Sequence, residues 1–322
     1  MFDNVRLRVD NLPESYNLSD YVKIKYIRND GSNYMCQLEN LEIWQNRNYL
    51  TILGSLAKYL HGENITPLKR KDVKQAIKKL EKDIGLSLKN AVVCSVEFGT
   101  SVKVKEETFE YMNLFGYTNR LGRHEIALGN INRRIRREVS NTRGVVTVFY
   151  TSLEGSFEFI GYDKIKEMKK KKQDIPPLFD ETNVLRLEYK IRKRRGIQSK
   201  FNGDLTAHSL FDENVYRRFQ ELFFNKYKSI AKMGRVVYVD KSENITPAKL
   251  KKIMAELFRQ SHPKEYQNHF QRFIEAGKLS PISIERILTE NNKLGNDFSI
   301  FDTNILIKEL DDLVYNSVML GD

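Results

Sequence analysis

The sequence predicts an α+β fold: a largely antiparallel sheet with flanking helices over residues 1–235, followed by a helical C-terminal domain over residues 236–322. Three observations predict it. Short runs that alternate apolar and polar residues, the period of a half-buried strand, recur as far as residue 192. Runs with apolar residues at helical spacing lie between them. After about residue 205 the strand period gives way almost entirely to the helical one.

The elements follow in order. Residues 5–9 (Val-Arg-Leu-Arg-Val) alternate as a strand. Asn29-Asp30-Gly31-Ser32 is a turn signal between runs at 21–27 and 34–44, and 49–53 is a further strand. Val73, Ile77, Leu80 and Ile84 mark one face of a helix over 70–84, with lysines between them. Residues 91–98 read as a strand and 106–115 as a helix. Strands at 145–151 and 156–162 flank Leu153-Glu154-Gly155, a hairpin signal. A short lysine-rich helix at 165–172 is ended by Ile175-Pro176-Pro177, and 184–192 is the clearest alternating strand of the chain. Residues 212–230 are helical, and 236–239 form one more strand. Thr246-Pro247 opens a helix, with Thr as cap and Pro at the first position. Helices are expected at 247–260, 263–276, 281–292 and 302–318, a helical bundle.

Composition narrows the function. A chain of 322 residues is ample for two domains, and 40% hydrophobic with 30% charged residues describes a soluble globular protein. No run approaches the roughly 20 apolar residues of a membrane span, and the N-terminus has no signal-peptide core, so no membrane partner and a cytoplasmic location are expected. Two cysteines exclude a disulfide framework and a cysteine-rich zinc site. Phosphate-loop, dinucleotide and His-Glu-x-x-His patterns are absent, which argues against a nucleotide cofactor or a zinc hydrolase. The net charge is +12, and it is uneven: residues 236–322 hold 11 basic and 13 acidic side chains, leaving +14 on residues 1–235. A basic body with a mildly acidic tail points to a polyanion, most often nucleic acid.

Three places can carry chemistry. In 184–192, Leu185, Leu187, Tyr189 and Ile191 share one face, and Arg186, Glu188, Lys190 and Arg192 share the other, continuing into Lys193-Arg194-Arg195. Such a face suits phosphate contacts, or is a solvated face whose charges pair with each other. Tyr162 and Lys164 share a face if the 156–162 strand continues, about 7 Å apart along it. A tyrosine hydroxyl can attack a phosphodiester, but with a solution pKa of about 10 it needs a metal or cation beside it. Lys164 could supply that charge; the alternative is a tyrosine that merely packs its ring, as most of the 16 tyrosines must. Glu97 lies in an apolar strand, where a carboxylate calls for a cation, a metal or an arginine, or else an exposed sheet face.

Read together, five segments resemble the filamentous-phage replication endonuclease family, the gene II/X proteins. They are Phe2-Asp3-Asn4-Val5-Arg6-Leu7-Arg8, the Gly54 to Ile65 segment with its Ala57-Lys58 and Gly62-Glu63-Asn64, Cys94-Ser95-Val96-Glu97-Phe98, Tyr162-Asp163-Lys164-Ile165-Lys166-Glu167, and Leu185-Arg186-Leu187-Glu188 with the strand that follows. Each is weak alone; their order and spacing carry the resemblance, which ends near residue 220. It implies a nickase-type domain and a rolling-circle initiator that cuts one strand at an origin through a covalent 5′-phosphotyrosine and later rejoins it. By the motif match Tyr162 is the nucleophile, with Lys164 and Glu167 in the adjoining positions. Glu97 and Glu188 are the implied ligands of Mg²⁺ or Mn²⁺, with Glu97 in place of the family's commoner Asp. Implied partners are origin DNA and a host helicase and polymerase. Arg120, Arg123, Arg133, Arg134, Arg136 and Arg137 form a second basic cluster that reads as DNA-contacting, or as a mobile basic loop. His124 is a further possible ligand, or a surface histidine beside Arg120 and Arg123. Two other readings stay open: an origin-binding initiator without catalysis, and a conjugative or mobilisation relaxase with the same chemistry.

Overall fold

Nine strands form one sheet in which every neighbouring pair is antiparallel. The computed structural model describes residues 1–22, 33–118, 135–140, 144–151, 156–232, 235–238, 299–302 and 304–320, with a few isolated positions besides. In chain order the strands are β1 (Phe2–Asp10), β2 (Asn33–Leu38), β3 (Leu41–Asn46), β4 (Tyr49–Ser55), β5 (Val92–Val104), β6 (Phe115–Thr118), β7 (Ile135–Ser140), β8 (Gly144–Thr151), β9 (Phe157–Asp163), β10 (Asn183–Ile191), β11 (Ile230–Lys232), β12 (Arg235–Tyr238) and β13 (Ser299–Asp302). The large sheet runs β2-β3-β4-β1-β5-β10-β9-β8-β7. The helices are α1 (Leu56–His61), α2 (Arg70–Ile84), α3 (Thr108–Leu114), α4 (Lys164–Lys170), α5 (Arg194–Phe201), α6 (Glu213–Lys228) and α7 (Asn304–Met319). The α+β expectation holds.

Strand parity decides what faces the core. Phe2, Phe98, Phe159 and Tyr189 come from the four central strands β1, β5, β9 and β10, and they meet the aromatic face of α6. Phe219 lies 4.8 Å from both Phe2 and Phe98, and Phe223 lies 5.7 Å from Phe159, ring centre to ring centre. Offset and edge-on aromatic pairs of this kind add to the burial of their surface. The alternate residues of the same strands, Glu97, Glu188 and Tyr162 among them, therefore fall on the opposite face of the sheet.

Several expectations change in detail. The 34–44 run is two strands, β2 and β3, joined by a tight turn with Glu39 at positive φ. The 156–162 strand stops at Asp163, whose carboxylate caps α4 by accepting the Lys166 N–H at 2.9 Å. Tyr162 and Lys164 are thus not on one strand face. Lys193-Arg194-Arg195 does not prolong β10: the chain turns there into α5. Of the strand expected at 236–239, the described part lies in β12 (Arg235–Tyr238), which pairs with β13 (Ser299–Asp302) in a two-stranded sheet. The helices expected at 247–260, 263–276 and 281–292 lie almost wholly outside the described residues.

The chain divides into two compact units, residues 1–232 with 308–322, and residues 233–307. Within the first unit, α7 buries Leu310, Val314 and Val318. Its backbone and side chains meet α6, β5 and β11: the Gln220 amide donates to the Val318 carbonyl at 2.6 Å, the Tyr227 hydroxyl to Asp311 at 2.5 Å, and Lys232 pairs with Asp311 at 3.1 Å.

Candidate active site

Four adjacent strands each bring one acid or hydroxyl to the same place: Asp3 from β1, Glu97 from β5, Glu188 from β10 and Tyr162 from β9. Register explains the meeting. Arg186 pairs with Tyr162 on one side and Ser101 on the other, and Lys190 pairs with Glu97 and Glu158. Gly99 sits opposite Glu188, and a Cβ there would come within 2.0 Å of the Leu187 carbonyl oxygen. Only glycine lets β5 approach β10 this closely beside the site.

The Tyr162 hydroxyl donates to Glu188 Oε1 at 2.7 Å. Arg186 Nε donates to the same oxygen at 3.1 Å, and its two other nitrogens reach Ser101 Oγ at 3.1 Å and Asp3 Oδ2 at 3.2 Å. Arg186 is only 1% exposed and paired with two buried carboxylates, so it does not lie on an open face as the phosphate contact expected of it would. Lys190 bridges Glu97 at 2.8 Å and Glu188 at 3.3 Å.

The electrostatics follow from burial and these pairings. Burial works against the Glu188 carboxylate, but Arg186 and Lys190 outweigh it and bring its pKa down to about 2. Glu97 has less help. Burial and the neighbouring Glu188 charge push it up to about 8, Lys190 offsetting only part. Burial, and then Glu188, raise the Tyr162 phenol well above its ordinary value. Its proton therefore stays on unless something positive arrives.

A second chain of contacts enters from α1 and α4. The Ser55 hydroxyl donates to Asp3 Oδ1 and accepts the Lys58 N–H at 3.1 Å, so the cap of α1 is also a partner of the site. Gly62 ends α1 at φ +80°, and the turn delivers Asn64. Its amide donates to Asp3 Oδ2 at 2.8 Å, while its carbonyl oxygen accepts from Lys164 Nζ at 3.0 Å. Lys164 also pairs with Glu167 at 2.9 Å. Burial would raise Glu167, but Lys171 and Lys164 overcome that and lower it. Tyr162, Lys164 and Glu167 are thus brought together, though by a strand end and a helix start rather than one strand.

Asp3 and Asn64 join the cluster, though sequence reasoning gave them no roles. Both stand in segments that carry the resemblance, Phe2-Asp3-Asn4 and Gly62-Glu63-Asn64. An acid next to the buried Phe2 at a strand start was the available signal for Asp3.

One carboxylate oxygen from each of Asp3, Glu97 and Glu188 lies within 4.8 Å of the others. Arg186 and Lys190 are the cations that pair with these acids. An all-oxygen set of this kind fits a hard divalent ion. The site opens on a cavity of about 470 Å³ rimmed by Lys166, Lys170 and Lys171.

The other expected DNA contacts are scattered. Arg192, Lys193, Arg194 and Arg195 are exposed; Arg192 pairs with Glu158, and Arg194 with Asp204 at 2.6 Å. Arg136 and Arg137 fall on β7, while Arg120, Arg123, His124, Arg133 and Arg134 lie outside the described residues. No helix among the described residues is long and apolar enough to cross a membrane.

No curated protein matches the chain in sequence. The family model for the N-terminal part of the phage replication-associated gene II protein matches residues 6–213, a span holding Asn64, Glu97, Tyr162, Lys164 and Glu188. That span covers well over half of the chain, which therefore belongs to the filamentous-phage gene II family of replication initiators.

Proposed function

We propose that the protein nicks one strand of DNA at a replication origin through Tyr162 and later rejoins it. The observation that carries this reading is the Tyr162 hydroxyl, 2.7 Å from Glu188, in a cavity that also holds three clustered carboxylates and a lysine rim. The Tyr162 oxygen attacks the scissile phosphorus and forms an ester to the 5′ phosphate. The bond to the 3′ oxygen breaks, and that oxygen leaves as a hydroxyl after taking a proton from solvent. Glu188 orients the hydroxyl through the hydrogen bond it accepts, and the phenol proton passes to solvent as the new bond forms. The ester keeps the bond energy, so rejoining by the reverse attack needs no nucleotide cofactor.

Asp3, Glu97 and Glu188 would hold Mg²⁺ or Mn²⁺, which when bound would polarise the scissile phosphate and favour the phenolate. Arg186 holds Asp3 and Glu188 in place. Lys164 fixes Asn64, which in turn orients Asp3. Lys166, Lys170 and Lys171 would take the flanking backbone, and Lys190, Arg192, Lys193, Arg194, Arg195 and the arginines at 133, 134, 136 and 137 would add contacts to origin DNA. Cleavage belongs in this reading to residues 1–235, with the remainder shaping origin architecture or contacts to a host helicase and polymerase.

The test is incubation with supercoiled circular DNA carrying the cognate origin, in Mg²⁺ or Mn²⁺. Nicked circles with protein on the 5′ end are expected. Tyr162→Phe keeps the ring and should lose both nick and adduct. Full nicking by Tyr162→Phe moves the nucleophile elsewhere, Tyr150 on the paired strand being next. Cleavage that survives EDTA sinks the metal.

A further inference from the structure

Beside the site lies a second cavity, of about 720 Å³, and Asn64 lines both. Its size is within the roughly 300–1,000 Å³ of sites that take small organic ligands. Its walls differ in character. One is apolar, made by Met168, Ile175 and Pro176. Met168 belongs to a buried cluster with Ile65, Ile165 and Val184, against which Ile175 packs, so this wall is firmly backed. Lys58 and Lys172 also line the cavity.

Neither lysine has an ion-pair partner among the described residues. Lys58 lies near the charges of Lys164 and Lys171. Burial and those two cations disfavour its own charge, with Asp3 and Glu167 compensating only in part. An anion placed there would favour the charged form of Lys58. Three acids also rim the cavity, but two are engaged: Glu39 pairs with Lys79 at 2.9 Å, and the Glu63 carboxylate accepts the N–H groups of Ile65 and Thr66. Asp174 is the third.

Apolar side chains and two cations lining one cavity, which shares Asn64 with the reacting tyrosine's cavity, match a nucleotide, whose base is apolar and flat and whose phosphodiester is anionic. We infer that the second cavity binds one nucleotide of the cleaved strand flanking the scissile phosphate, its base against Met168, Ile175 and Pro176 and its phosphate on Lys58 and Lys172. The inference rests on the nicking reading for its place in the strand, but binding can be tested without chemistry.

The test uses the full chain with Tyr162→Phe as background, so that no cleavage intervenes. The probe is a fluorescent oligothymidylate of roughly 12 nucleotides, within the site sizes of single-strand binders, titrated by anisotropy at several salt concentrations. Lys58→Ala with Lys172→Ala should weaken binding about ten-fold. It should also flatten the slope of log affinity against log salt by about 1.4, or 0.7 for each single-strand phosphate contact. A control pair with equal charge loss, Lys74→Ala with Lys78→Ala on the exposed side of α2, should change affinity less than about two-fold. An abasic oligonucleotide of equal length keeps the phosphates and loses the bases. The parent should bind it more weakly, and Ile175→Ser, checked for an unchanged melting curve, should narrow that gap.

Equal effects of the two lysine pairs overturn the phosphate half of the inference, and an unchanged gap in Ile175→Ser overturns the base half. Origin nicking by the wild type together with either result sinks this inference alone. No covalent adduct, with the selective loss at Lys58 and Lys172 intact, sinks the nicking reading and leaves the nucleotide cavity standing.

Discussion

Glu97 and Glu188 are chemically the same group held in opposite states by their neighbours. Glu188 has Arg186 and Lys190 at bonding distance; Glu97 shares only Lys190 and faces the Glu188 charge. Opposite shifts give opposite pH dependence. The pKa of Glu97, raised from 4.5 to about 8, means that the folded chain keeps a proton which the unfolded chain has released within that window. Stability from this group is complete below pH 4.5 and is lost as pH rises to about 8. Glu188, lowered to about 2, stabilises above pH 4.5 and loses that contribution as pH falls toward 2. Metal-free protein with Glu97→Gln should therefore lack the wild-type decline in urea midpoint between pH 5 and 8 that belongs to this group. The same slope in variant and wild type would show that Glu97 is already ionised. Added Mn²⁺ should remove the decline in the wild type by displacing the proton. At this scale the sequence was partly legible. Tyr162, Lys164, Glu97 and Glu188 stand in recognisable runs. Asp3 and Asn64 acquire roles only by contact with residues up to 183 positions away, which no local pattern records.

Among the elements, β10 was the most legible, because its alternation is nearly perfect and both its neighbours obey it. Its parity is right, and yet Arg186 is buried on the face that the pattern marks as polar. Alternation separates two faces; it does not say that the polar one is wet. Here the charged face is covered by its own ion pairs, since Asp3, Glu188 and Ser101 take the guanidinium. Removing one partner of a buried pair leaves the others uncompensated, at a cost of about 3–5 kcal/mol. Arg186→Met, close in length and without charge, should lower unfolding stability by about that amount in chemical denaturation. A loss below about 1 kcal/mol would mean that Asp3 and Glu188 find other cations or protons readily. The boundary before α4 was read closely, with a strand at 156–162 and a helix at 165–172 against Phe157–Asp163 and Lys164–Lys170, but whether the strand ran on to Lys164 stayed open. The Asp163 cap decides it by turning the chain into a helix at Lys164. Capping decides such points, and Asp is common both in caps and in turns.

Charge and connectivity divide differently at the scale of the whole molecule. The basic excess ends near residue 235, and a cut near residue 242 looks harmless from composition alone. Affinity for duplex DNA should follow that excess. Replacing Arg133, Arg134, Arg136 and Arg137 with Ala should flatten the salt slope by about 3 if most of them meet phosphates, at about 0.9 each. An unchanged slope would place the DNA elsewhere on the chain. Packing tells another story at the C-terminus. Residues 308–322 group with residues 1–232, and α7 closes on α6, β5 and β11. Hydrophobic periodicity identified this helix but not its partner, because an apolar face does not name what it packs against. Leu310, Val314 and Val318 are fully or nearly fully buried there, and each such side chain contributes about 1.5–3 kcal/mol when taken from water. A chain ending at residue 303 should therefore unfold with a clearly lower Tm, since that burial is lost. A synthetic peptide of residues 304–320, added in excess, should raise that Tm in proportion to the logarithm of its concentration. A truncated chain with wild-type Tm, or one that ignores the peptide, would show that α7 is a passive attachment and that the first unit is complete at residue 232.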